Sequence, residues 1–200
     1  MTRLKLALLL AAAVGAAALS AQTATAVRSW AIGDAPPEVR PVISRADLLI
    51  TTMQDSLLRQ LHDKLDQGGP SLAIGACHIE SAELTRRIGR HEGIAVGFTS
   101  DRLRNPTNRA RPWASPFVTQ NAGRQAHDVK GFAVDLGDKI GVLRPMAHQP
   151  ICASCHGPTD HITPAVRSVL ADRYPSDRAT GFADGEIRGW FWVEMPKSPR

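Results

Sequence analysis

The sequence predicts an α+β domain, and three observations predict it. Two helical stretches are separated by Gly68-Gly69-Pro70, two β-type runs are joined by Gly137-Asp138, and a last β-type run lies near the end of the chain. Helices first and mostly antiparallel strands afterwards is an α+β order, not the alternation of βαβ units.

The first residues are set apart from that domain. Arg3 and Lys5 precede an apolar run from residue 6 to 19, and small residues follow up to Ala24-Thr25-Ala26. A basic start, a short apolar stretch and an A-x-A site describe a secretory leader over residues 1–26, cleaved between Ser20 and Ala26. The run is short for a bilayer span, which takes about 20 apolar residues. With no cysteine after it, no lipid anchor is expected, so the mature protein is expected to be exported, periplasmic and without a stable membrane anchor. The formal charge of +5 loses Arg3 and Lys5 with the leader, and no block of like charges remains. Nucleic acid is therefore not an expected partner.

Residues 27–43, with Pro36, Pro37 and Pro41, read as an irregular lead-in, and residues 44–200 as one domain. Ser44 is the expected N-cap of a first helix over residues 44–67. Leu49, Met53, Leu57, Leu61 and Leu65 recur every four residues and give it an apolar stripe. A second helix is expected over 71–90, where Ile74, Cys77, Leu84 and Ile88 share a face and turn Cys77 inward. Residues 94–98 read as a strand and 100–116 as a polar loop rich in Arg, Asn and Pro. Residues 130–136 and 139–146 read as a hairpin about Gly137-Asp138. A further helix is expected over 161–174, a turn-rich connection over 177–186 and a closing strand over 187–194.

The chemistry sits in Cys152-Ala153-Ser154-Cys155-His156. C-x-x-C-H is the attachment signature of c-type haem: two thiols at this spacing reach the two vinyl groups, and the next residue, His156, is held against the iron. A disulfide or a redox C-x-x-C leaves His156 unexplained. A zinc site needs about four ligands, usually from two such clusters, and the third cysteine stands alone. One covalent haem c per chain, on Cys152 and Cys155 with His156 as iron ligand, is the expectation. Small carrier cytochromes usually place this motif near the start of an all-helical domain. Here it comes late, after a hairpin.

The opposite side of the iron is open to several residues: Cys77, Met146, His78, His127, His148 and His161. Two of the three cysteines are consumed by haem, which leaves Cys77 unpaired in an exported protein. A cysteine on an apolar helix face is also an ordinary core residue. Arg102, Arg104, Arg109 and Arg111 lie in the polar loop; Arg102 and Arg104 are candidate contacts to haem propionates, for which a forked guanidinium is suited. The same loop also reads as a solvated turn about Asn105-Pro106.

Four blocks carry a family resemblance. They are Ala73-Ile74-Gly75-Ala76-Cys77; Thr99-Ser100-Asp101-Arg102-Leu103-Arg104-Asn105-Pro106-Thr107-Asn108 with Trp113; Arg144-Pro145-Met146 before the C-x-x-C-H; and Thr180-Gly181-Phe182-Ala183-Asp184-Gly185-Glu186-Ile187-Arg188-Gly189-Trp190. In these, over residues 44–196, the chain resembles the c-type haem family with a PAS-like fold, described as a Tll-like domain of unknown function. The resemblance implies a PAS-like antiparallel sheet with long N-terminal helices, and a helix cysteine matching Cys77 as second axial ligand. His78, beside Cys77, and Met146 are the runners-up.

These readings lead to a haem-based redox or small-gas sensor, or a low-potential electron-transfer protein, since a thiolate ligand pushes electron density onto iron. A partner redox or signalling protein, or a small diatomic ligand, is implied. The alternative is a plain periplasmic electron carrier. A haem enzyme such as a peroxidase ranks last, because it requires an open iron position beside an acid/base group.

Overall fold

The first helix shows how this sequence builds its core. In a computed structural model, which describes residues 27–89 and 93–198 apart from the side chains of residues 75–82, 84 and 89, α1 spans Arg40–Gly89. The leader expected over residues 1–26 lies outside the described residues. Ser44 is not the N-cap: the helix starts four residues earlier, and Ser44 is exposed on it. Pro41 is at home there, because a first-turn proline lacks only a donor that would have no helical partner.

Val42, Ile43, Ala46, Ile50 and Met53 are buried against the sheet. Leu57, Leu61 and Leu65 continue the predicted stripe and line a cavity beside the sheet, Leu57 also packing against the sheet core. The drift toward the cavity is geometric, since a step of four residues overshoots a full turn by about 40°. The helix is broken at Gly68 and Gly69, the latter in the left-handed region at φ 69°, which favours glycine. Pro70 then opens the second segment. That segment begins against the last helix through Ile74 and ends against the sheet core through Ile88.

Five antiparallel strands form one sheet in the order β1-β3-β4-β5-β2, with β1 Ser29–Ala31, β2 Ala95–Thr99, β3 Phe132–Asp135, β4 Lys139–Ala147 and β5 Ile187–Pro196. β1 corrects the lead-in over residues 27–43: Trp30 pairs with Ala133, so this stretch is partly an edge strand. Three residues are too few for alternation to show in the sequence. The hairpin forms as expected, with Gly137 at φ 93° and the Leu136 N–H donating to the Lys139 carbonyl.

Alternation along β5 gives the sheet two covered faces. Phe191, Val193 and Met195 meet α1, while Trp190 faces Ala114 and Val118 on the other side, where Ile187 joins it because the register shift beyond Gly189 reverses the alternation. Val118 belongs to α2 (Ser115–Gln120), a short helix lying mostly beyond the polar loop expected over 100–116. The C-x-x-C-H forms its own short helix, α3 (Ala153–His156). The last helix, α4 (Pro164–Arg173), starts three residues later than the span 161–174 expected. Thr163 caps it by accepting from the Val166 N–H, and Pro164 fills its first turn. No helix among the described residues is long and apolar enough to cross a membrane.

Candidate functional site

β4 and β5 run in register up to Met146, opposite Gly189, and a bulge between Met146 and Ala147 then ends the regular pairing. The chain leaves the sheet there and reaches Cys152 within a few residues. The loop over residues 177–186 lies alongside: Gly181 N–H donates to the Gly157 carbonyl, and Phe182 N–H to the His156 carbonyl. The C-x-x-C-H is thus held between the end of β4 and the loop that precedes β5.

A cavity of about 440 Å³ opens at this junction. Leu57, Leu61 and Leu65 of α1, Phe98 of β2, Met146 of β4 and Phe191 of β5 give it apolar sides. Cys152, Cys155 and His156 line its wall, and Arg102, Arg104 and Arg188 add cationic groups. Cavities of this size accept cofactor-sized ligands.

The surroundings of His156 fix its protonation state. Its Nδ1 lies 2.7 Å from the Ala179 carbonyl oxygen, an acceptor only, so Nδ1 carries the proton and Nε2 keeps its lone pair. Burial holds the imidazole pKa well below its ordinary value, and the Arg188 and Arg104 guanidiniums push it further down. The ring is therefore neutral at pH 7, the form that binds a metal. Cys155 packs against the cluster of Ile74, Ile162, Val166, Leu170 and Tyr174, and burial raises its thiol pKa. Cys152 and Cys155 are both half-buried free thiols, not bonded to each other.

The two arginines proposed for propionates have other partners as well. Arg102 stacks over Phe182 with its guanidinium carbon 3.5 Å from the ring centroid, pairs with Glu186 and donates to the Thr180 and Gly181 carbonyls. Arg104 pairs with Asp177 at 3.0 Å and donates to the Cys155 and Ala179 carbonyls. Arg109 is exposed, and Arg111 pairs with Glu194 away from the cavity.

The candidates for the opposite ligand separate. Met146 lines the cavity and its sulfur meets the Arg188 guanidinium. His148 is buried, stacked on Phe182, and its Nδ1 lies 3.3 Å from an Asp184 oxygen without hydrogen-bond alignment. It is not among the cavity-lining residues, and burial lowers its pKa. His127 and His161 are exposed beside Asp128 and Asp160. Cys77 and His78 belong to the second segment of α1, and their side chains lie outside the described residues. Ala73 and Ile74, one turn earlier, line the cavity.

Sequence reasoning missed three participants: the Ala179 carbonyl, Arg188 and Gln60. Gln60 lines the cavity with a buried Oε1 that has no hydrogen-bond partner. Arg188 is a charged residue within an apolar strand, a signal that the sequence does carry. A main-chain carbonyl leaves no such signal.

Fold and site together define a class: a mixed domain whose helices and five-stranded antiparallel sheet enclose an apolar cavity with two thiols and an imidazole on its wall. The chain belongs to the Tll0287-like family, which matches residues 8–196. No curated protein matches it. Among solved structures it is similar to the crystal structure of the cyanobacterial haem protein Tll0287, with 22% identity and a TM-score of 0.56, covering 83% of this chain and 99% of that one. At this identity the likeness carries the fold.

Proposed function

We propose that this chain is an exported, PAS-like monohaem c-type protein that works as a redox or small-gas sensor or as a low-potential electron-transfer protein. The observation that carries the reading is the C-x-x-C-H on the wall of an apolar cavity, with His156 Nε2 left unprotonated because Nδ1 is committed to Ala179. The residues fit a haem: apolar sides for its faces, guanidiniums for its carboxylates and two thiols for its vinyl groups. The cofactor would supply a one-electron couple and an axial position.

The chain's own residues would do the following. Cys152 and Cys155 would hold the group covalently, and His156 and Cys77 would be its protein ligands. The leader directs the chain to the compartment in which such haem is attached. A redox or signalling partner receives the output, or a diatomic ligand supplies the input. Because Cys77 lies on the second segment of α1, its bond to the group would couple the position of that segment to redox state or gas binding, a two-state device.

The test is optical. Purified holoprotein is expected to keep its haem through denaturing electrophoresis, and Cys77→Ser to change the ferric spectrum, with the ferrous spectrum changing too only where the thiolate stays bound on reduction. Haem lost on denaturation would remove the c-type reading, and unchanged spectra in Cys77→Ser would remove the thiolate. A carrier would keep both ligands in both oxidation states and exclude carbon monoxide, whereas a sensor would open one position.

A further inference from the structure

Arg104 and Asp177 are joined to the same carbonyl that fixes His156. The Ala179 oxygen accepts from His156 Nδ1 at 2.7 Å and from Arg104 Nη2 at 3.3 Å. The same guanidinium donates to the Cys155 carbonyl inside the motif and pairs through Nε with Asp177 at 3.0 Å. Asp177 in turn accepts from the Ala179 N–H at 2.8 Å, so the pair grips both sides of that residue. Both side chains are shielded, at 15% and 12% exposure. A charge there is screened far less than a surface one.

We propose that Arg104 and Asp177 are positioning residues that set the reduction potential of the bound cofactor, in opposite directions, through the His156–Ala179 hydrogen bond and through their own charges. The inference rests on the haem c reading above. Two effects of Arg104 have the same sign. A carbonyl oxygen has two lone pairs and can serve both donors, but density drawn toward a guanidinium is withdrawn from Nδ1–H. The imidazole then gains less basicity from its outer partner, and a less basic ligand stabilises the oxidised iron less. The positive charge beside the ligating ring also disfavours the more positive, oxidised state. Asp177 opposes both by neutralising Arg104. Arg104 Nη1 also lies 3.4 Å from His156 Nε2, a long contact that a metal on Nε2 replaces. Its bonds to Cys155, Ala179 and Asp177 hold it in place without that contact.

The experiment is a spectroelectrochemical titration of purified holoprotein as wild type, R104Q, R104K and D177N. R104Q is expected to lower the midpoint so that the reduced-to-oxidised ratio at a fixed potential falls about tenfold, ~59 mV for one electron. D177N is expected to raise it by a similar amount, and R104K, which keeps the charge, to stay near wild type. A site that is merely loosened would move R104Q and D177N in the same direction. That result, or unmoved midpoints, overturns the proposal. Should R104Q not fold, D177N against R104K still carries the sign. Failure of the underlying reading looks different: wild-type protein would then hold no covalent haem on a denaturing gel.

Discussion

The two apolar clusters that flank the cavity are built on different principles. On the sheet side, α1 and strands β2 to β5 bury Met53, Ile140, Val142 and Val193 completely, together with Ala46 and Ala133. On the motif side only Ile74, Ile162, Val166, Leu170 and Tyr174 gather, with Cys155 at their edge. There the fold relies on polar ties instead: Arg104 to two carbonyls and Asp177, Arg102 to Glu186, and the Thr163 cap. Apolar burial makes the sheet side self-sufficient. The motif side, with fewer buried apolar residues, is expected to open at lower free energy than the sheet.

The largest expected effect tests the sheet side. Met53→Ala removes a fully buried side chain and is expected to cost about 2–5 kcal/mol of unfolding free energy in urea titrations. A loss below about 1 kcal/mol would mean that the sheet core is not the main source of stability. Next, Thr163→Ala removes the cap of α4 and is expected to cost about 1 kcal/mol. Hydrogen exchange should show the effect concentrated at the amides of residues 165–173, with β4 and β5 little changed; acceleration spread evenly over the molecule would contradict two separate units.

The smallest effect concerns Asp135, which pairs with Arg28 and Lys197 at the edge of the sheet. The Lys197 bond, then the Gly137 N–H, lowers its pKa to about 2. Because the folded value lies below the unfolded one, the stabilisation is fully present above about pH 4 and is lost as pH falls toward about 2. Arg28 is largely exposed, so screening limits the effect to about 1 kcal/mol or less. Asp135→Asn should flatten that part of the pH–stability curve. An identical acid limb in the variant would assign the acid sensitivity to other carboxylates.

Most of the architecture was legible in the residues, and the exceptions share causes. The helix break at Gly68-Gly69, the hairpin at Gly137-Asp138 and the closing strand all follow from local chemistry strong enough to appear in sequence. Ser44 misled because a serine before an apolar run is a cap only when the chain upstream is not already helical. β1 is set by pairing with β3, a distant partner that no local pattern reveals. In the site, the C-x-x-C-H announced itself through side chains of restricted chemistry. The arginine loop was legible as a candidate, but the partners of Arg102 and Arg104 come from residues 177–186, far along the chain.

The oxygen of Ala179 belongs to the main chain, and that has a genetic consequence. No codon change deletes it, so variation cannot switch the His156 bond on or off by editing its acceptor. Heritable adjustment has to come through residues that share or displace that atom, and Arg104 is the side chain that does so here. Lineages carrying this fold would then be expected to diverge in their electrochemistry at position 104 and its counter-ion while the histidine and its acceptor stay in place.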